Sequence, residues 1–310
     1  MAFLYALPGA VAEGLIWGLM AIGVYISYKI LDIADLTVDG SICTGACVCA
    51  VLLGLGVPAW ISVLVALLAG AVTGVVTGLL HTVLGIPSIL AGILTQLMLY
   101  SVNLLILSGK SLMSIDPRAN NLLVHMSRNN ASIVSMVIIV AAVIFILYEF
   151  FYTEIGLTLK STGDNPDMSR AQGVDVNRNK VIGLAIANGI VALAGALLAQ
   201  YKGSANINDG RGAIVIGLAA IFIGLSVSMK IKPNFVVSLI GVIGGGIVYY
   251  IVYNFVILMG LKTDYLKMLS AIIVALFLGI PYLKTKYFTK QKDLRPSDLI
   301  GQKNGGKDNA

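Results

Sequence analysis

The chain has 310 residues, 58% of them hydrophobic and only 12% charged, with a formal net charge of +6. That charged share is about half of what a soluble domain carries, and apolar runs of about 20 residues, enough to cross a bilayer as helix, recur along it. Composition therefore argues against a soluble domain. The basic excess lies in loops and tail, where it speaks to membrane orientation rather than to a nucleic-acid partner.

In chain order, residues 1–8 lack a basic start and the first apolar run lacks a small-residue cleavage site, so no cleavable signal is expected. The first span is expected over residues 9–28, with Glu13 near its start as an interfacial acid. The next stretch, KILDIADLTVDGS over 29–41, holds Asp32, Asp35 and Asp39 between hydrophobic runs with no long loop. Its Asp39–Gly40 pair marks a turn, so the chain is expected to break here and re-enter as a helix. Broken backbone at membrane depth belongs where it lines a cavity or is buried in protein. Two readings stay open. Asp35, Asp39, Gly40 and Ser41 line a substrate pathway, or the acids are solvated in a surface turn, with Asp39 free to cap the second span.

Spans two and three are expected over 42–57 and 59–80. Cys43, Cys47 and Cys49 fall within the second. Cys43 and Cys47 share a helical face, but with no His or carboxylate to complete a tetrahedral set they read as small apolar filling. Gly70, Gly74 and Gly78 recur at four-residue spacing in the third, which lets another helix of the same chain approach closely. Span four follows Gly85-Ile86-Pro87 and reaches Leu107. Its Gln96 and Asn103, seven apart on one face, either bond across helices or line a pathway. Span five is expected over 131–151.

A polar interval, 152–180, follows between two long apolar runs. Asp164 or Asn165 can cap a helix there, and Pro166 at its first position needs no amide partner. The helix, over 167–172, then stops at Gly173, which tolerates the left-handed conformation. A capped polar helix between spans is expected to dock a partner. Spans six to nine are expected over 181–201, 213–228, 234–259 and 265–283, and the charged tail over 284–310. Lysines and arginines of the tail, of 152–180 and of the turn at Lys230 and Lys232 fall on one side, the cytoplasmic side by the positive-inside rule. The loop 109–130 then lies outside despite Lys110, Arg118 and Arg128.

Val38-Asp39-Gly40-Ser41 before span two echoes Asn208-Asp209-Gly210-Arg211 before span seven. Five crossings between the echoes would give the halves opposite orientation, as in transporters built from inverted repeats. The expected class is thus all-α: a polytopic membrane protein of eight or nine spans with short re-entrant segments.

The run IGLTLKSTGDNPDMSRAQGVDVNRNK and the A-G-A-rich span after it resemble the cytoplasmic signature of ABC importer permeases, of the branched-chain amino acid and ribose-type superfamily. That signature reads G-x-x-L-R/K-A-x-G-x-N-P-x-x-A/S-x-x-x-G-I/V. Gly156, Leu159, Lys160, Gly163, Asn165, Pro166, Gly173 and Val174 fit it, as do Ala194, Gly195 and Ala196, while Ser161 stands where Ala is usual. DLTVDGS and the Gly/Ala-rich span after it resemble the subgroup for tryptophan or other aromatic amino acids. The permease domain is expected over 1–283, with the resemblance extending from Gly14 to about Pro281, and the resemblance implies pairing with a second permease, a copy or a paralogue. It also implies a dimer of cytoplasmic ATPase subunits, an extracytoplasmic substrate-binding protein, and no cofactor or covalent chemistry of the permease's own. It places Gly163, Asp164, Asn165, Pro166, Met168, Arg170, Gln172 and Gly173 at the ATPase contact. No G-x-x-x-x-G-K-S/T run is present, so ATP would be bound by the partner. Relatives carrying sugars or nucleosides share this plan, and an ion-coupled transporter using Asp35 or Asp39 is the alternative outside the family.

Overall fold

In the computed structural model the described residues are 2–116, 122–126, 129–228 and 234–258, with isolated positions up to 279. The expected ninth span apart from those isolated positions, the tail, the turn at Lys230 and Lys232, and Arg118 and Arg128 lie outside them. Helix α1, Ala2–Tyr25, passes into a π-helical segment, Ile26–Ile30, and then into a non-helical stretch up to the start of α2, Val38–Gly54. There follow α3 (Ala59–Thr82), α4 (Ser88–Ile106), α5 (Asn129–Tyr152), α6 (Glu154–Asp164), α7 (Pro166–Ala171), α8 (Val176–Lys202), α9 (Ala213–Ser228) and α10 (Phe235–Leu258). One small antiparallel ladder joins β1 (Leu112–Ser114) to β2 (Ser204–Asn206). Among the described residues, six helices are long and apolar enough to cross a membrane, and α2 and α9 are shorter apolar helices. At 17 and 16 residues those two reach about 25 Å, less than the ~30 Å hydrocarbon core.

Helix α8 is the axis of the bundle. It is buried continuously from Ala187 to Tyr201, which a helix achieves in a membrane only when other backbones come close on several sides. Small residues make that approach. A Cβ on Gly74 of α3 would strike the Leu184 carbonyl, and one on Gly70 would strike Asn188 and Ala192. Gly45 of α2 lies against the Ala192 carbonyl, and Gly195 of α8 lies against that of Ile42. The four-residue glycine spacing of α3 is thus spent on a contact within the chain. On the far side α1 meets α10 through Gly14, Gly18 and Gly246. The outward faces of α3, α4 and α5 expose Leu64, Leu68, Leu94, Leu97, Ile138 and Phe145, as lipid or another apolar surface requires.

Two ends can be told apart. At one, α6 and α7 sit beside the end of α1 and the start of α8: Gly163 presses on the Ile30 carbonyl and Asn179 donates to Thr162 at 3.0 Å. At the other, the β1–β2 ladder closes over the ends of α2 and α8, with Met113 against Gly54 and Ile115 N donating to Gly203 O at 2.9 Å.

Candidate functional site

The break between α1 and α2 is not a surface turn. Asp35 is 2% exposed, Thr37 and Ser41 fully buried. Buried carboxylates need donors, and two are supplied. The Thr37 backbone N–H donates to Asp35 Oδ1 at 2.9 Å, and Asn188 Nδ2 donates to Oδ2 at 2.6 Å. Asn188 stands midway along α8, and its own Oδ1 accepts from Ser41 Oγ at 2.6 Å. From there hydroxyls continue across the bundle: Ser41 to Thr73 at 2.7 Å, Thr37 to Thr77 at 2.7 Å, and Thr77 to Thr95 at 3.0 Å. One polar network therefore ties the break to α2, α3, α4 and α8 at mid-depth. Asp35 holds the N-terminus of α2; Asp32, in the same break, is exposed and takes φ 55°, a left-handed conformation that Asp tolerates better than most residues.

Asp39 does something the sequence does not announce. Rather than capping α2, it reaches the other half of the chain and accepts from Gly212 N at 2.8 Å and Ile214 N at 2.9 Å, capping α9. Gly210 packs on the Asp39 carbonyl, and its N–H meets Cys43 Sγ at 3.1 Å. The two Asp-Gly echoes thus touch. From this point α2 runs toward the ladder end, while α9 runs along α1, past Met20 and Val24 and on to the Tyr28–Phe222 ring pair, toward the α6 end. Two short apolar helices start together, beside the middle of α8, and diverge. Chain enters one from each side, the arrangement that the paired echoes lead one to expect.

Beside this junction lies a cavity of about 410 Å³, lined by Asp39, Gly40, Gln96, Tyr100, Asn103 and Arg211, with Leu97 and Ile207 among the apolar remainder. Four of the six expected pathway residues meet here: Asp39, Gly40, Gln96 and Asn103. The other two, Asp35 and Ser41, turn instead into the buried network behind it. Arg211 lies over the Tyr100 ring, 5.9 Å from its centroid. A second cavity, also about 410 Å³ and almost wholly apolar, opens between α2, α3 and α4 around Val72, Met98 and Val102.

At the opposite level, the polar interval forms two helices where one was expected. Thr153 caps α6, its hydroxyl accepting from Gly156 N at 3.3 Å. Asn165 caps α7 through Met168 N at 3.0 Å, with Pro166 at the first position. Gly173, at φ 82°, ends it, and Val174 N returns to Ser169 O at 3.0 Å. Of the candidate contact residues, Asp164, Asn165, Met168, Arg170 and Gln172 are exposed, and Arg170 pairs with Asp167 at 3.1 Å. Gly163 faces inward, against Ile30. The last residues of the interval belong to α8, whose first turn is capped by Asp175. Lys160 turns back over the rings of Phe235, Phe151 and Tyr152, at 4.5, 5.2 and 5.8 Å from their centroids. That partial burial pulls its ammonium below the usual lysine range. Among the described residues no cluster of metal-ligating side chains is found, and the three cysteines are free and buried.

Residues 9–287 match the family described as branched-chain amino acid transport system / permease component. The chain belongs to that permease family. It is 36% identical over 268 residues to a tyrosine transport system permease protein of Clostridioides difficile, an alignment covering 86% of this chain and 88% of the other. It is also 31% identical over 277 residues to an uncharacterized protein of Rickettsia prowazekii (strain Madrid E), covering 89% and 96%. No solved structure matches. The chain is thus a multi-pass membrane permease of an ABC-type transport system. Its family is one of transporters rather than enzymes, working in general with ATPase and substrate-binding partners.

In this permease the residues that sequence reading passes over are Arg211, Tyr100 and the partners of Asp35. Asn188 is visible as a polar residue in an apolar span, and Thr73 and Thr77 sit between the glycines of α3. Nothing in the sequence joins them, because they meet across separations of up to 153 residues.

Proposed function

We propose that this permease forms the translocation pathway of an ATP-driven importer for an amino acid, aromatic amino acids first, in the plasma membrane of a bacterium. It acts with a second permease, itself or a paralogue, a pair of ATPase subunits on the α6–α7 end, and an extracytoplasmic binding protein at the ladder end. One observation carries this reading. Gly163 of α6 rests on the carbonyl of Ile30, the last residue of the π-helical segment, and that segment leads straight into the break which holds the start of α2 beside the cavity. A push on the exposed tip of α7 has a packed, short route to the cavity wall, as a coupling element requires. The similarity to a tyrosine transport permease supports the substrate class, and the exposed apolar faces of α3 and α4 suit a second permease.

The test is reconstitution into proteoliposomes with a candidate ATPase and binding protein from the same genome. Tyrosine-loaded binding protein should raise ATP hydrolysis several-fold and drive uptake into the vesicles. Uptake that follows an imposed proton or sodium gradient and ignores ATP would overturn the reading; stimulation by a sugar or nucleoside alone would move the substrate class.

A further inference from the structure

The cavity at the meeting of α2 and α9 holds two opposite charges, a ring and an unsatisfied acceptor. The Asp39 oxygens accept from Gly212 N and Ile214 N at the head of α9, with the Ala213 N–H also directed at the carboxylate, and the roughly four acceptor positions of a carboxylate are not all used. Arg211 forms no ion pair among the described residues; its guanidinium lies over Tyr100 with its fork of donors uncommitted. Asn103 is 1% exposed, lines the same cavity, and its Oδ1 has no hydrogen-bond partner among the described residues. A buried acceptor left open carries a cost unless something fills it part of the time. Gln96, Tyr100 and Asn103 follow one another at i, i+4 and i+7 along α4. The polar positions thus extend over about 10 Å, with Asp39 and Gly40 packed at the Gln96 end.

Resting on the importer reading above, we propose that this cavity recognises an α-amino acid whose aromatic ring bears a hydrogen-bond donor. Arg211 pairs the α-carboxylate in the two-pronged fashion open to guanidinium. The free lone pairs of Asp39 take the α-ammonium, Tyr100 lies along the ring, and Asn103 Oδ1 accepts from the phenol hydroxyl or indole N–H at its far edge. The cavity volume lies within the range of small-molecule sites, ~300–1,000 Å³. Phenylalanine fits the same space and leaves the Asn103 oxygen bare. A site built around such a bond discriminates against the analogue lacking it far better than a site that senses size alone.

The experiment uses the reconstituted complex with its binding protein saturated in turn by L-tyrosine, L-tryptophan and L-phenylalanine, so that loading no longer selects. Uptake per ATP hydrolysed is then compared. The wild type should carry tyrosine and tryptophan about tenfold or more faster than phenylalanine. Arg211→Gln should lower uptake of all three by about tenfold or more, while the loaded binding protein still stimulates ATP hydrolysis. Asn103→Leu should bring tyrosine down to the phenylalanine rate and leave phenylalanine unchanged. Equal wild-type rates for the three, or wild-type uptake by Arg211→Gln, would overturn the proposal and leave the importer reading intact. If Asn103→Leu does not assemble, the wild-type tyrosine-to-phenylalanine ratio and Arg211→Gln decide alone. A wild-type complex that carries none of the three while hydrolysing ATP with another solute would remove the amino-acid reading itself, and this proposal with it.

Discussion

Asp35→Asn and Asp35→Leu remove the same charge from the middle of the protein, yet should differ sharply. In the native network Asp35 accepts from Thr37 N and from Asn188 Nδ2, while Ser41 donates to Asn188 Oδ1. Thr73 spends its own proton on the Gly70 carbonyl at 2.7 Å, so the Ser41–Thr73 contact has to share the one proton of Ser41. With asparagine at position 35, Oδ1 keeps Thr37 N and the new Nδ2 faces Asn188. If the Asn188 amide turns over, its Oδ1 accepts from residue 35, its Nδ2 donates to Ser41, and Ser41 donates to Thr73. The turn gives up the bond from Asn188 Nδ2 to Leu184 O at 3.0 Å and supplies the proton that Ser41–Thr73 lacked. One neutral bond is lost and one gained, so the net cost is about 1 kcal/mol or less. Leucine offers no acceptor and strands two buried donors at about 1–3 kcal/mol each, about 2–6 kcal/mol together. Unfolding in detergent can be followed by a thiol-reactive dye, since Cys43, Cys47 and Cys49 are free and buried until the bundle opens. Asp35→Asn should shift the midpoint by about 2–4 °C at most, and Asp35→Leu by several times that. Equal damage from both variants would refute the reasoning and show that the charge, not the count of acceptors, is what the site requires.

Three further outcomes follow from the same geometry. Gly163→Ala drives a methyl into the Ile30 carbonyl; overpacking of about 1–3 kcal/mol should unseat α6, so that substrate-stimulated ATP hydrolysis falls while insertion in the membrane, read by fractionation, persists. Asp39→Ala leaves Gly212 N and Ile214 N without their acceptor and should cost about 0.5–2 kcal/mol in the thiol assay, with Asp39→Asn, which keeps one acceptor oxygen, recovering part of it; equal stability of all three forms would show the cap to be idle. Gly173→Val forces a β-branched residue to φ 82° at about 1–2 kcal/mol. It should weaken crosslinking between a cysteine at Met168 and the ATPase, and normal transport by this variant would dismiss α7 as the docking element.

What the sequence discloses and what it hides divide along physical lines. Local signals read well. Asn165, Pro166 and Gly173 mark the start and stop of α7 because capping involves residues at most a few positions apart. The glycine ladder of α3 was legible as a packing face, and Asp-Gly as a break. Helix α6 is not legible in the sequence because nothing local shows that Gly156 and Gly163 are small for packing: another backbone passes over each, at Phe151 and at Ile30. The cap of α9 by Asp39 was hidden for a different reason: its donors lie 173 and 175 residues away, and no local rule reaches that far. The same holds for Arg211, whose place over Tyr100 exists only once the second break folds back onto the first.

The two breaks also explain why the carboxylates are there at all. A helix that begins in the middle of a membrane exposes N–H groups where no water can satisfy them. Each of the two short helices here receives one acid at its head. Asp35 takes Thr37 N at the head of α2, and Asp39 takes Gly212 N and Ile214 N at the head of α9. The bonds to Asp39 cross from one half of the chain to the other, so α9 is not complete without the first break. That contact holds the two heads together beside the cavity, whose lining includes Gly40 from one and Arg211 from the other. It also sets how α6 can act. Ile30, pressed by Gly163, lies five residues before Asp35, with no helix between to absorb a displacement. On the proposed coupling, movement at the α6 end would reach the head of α2 first, and through Asp39 the head of α9. The acids that satisfy the two helix heads are then the groups that link one break to the other.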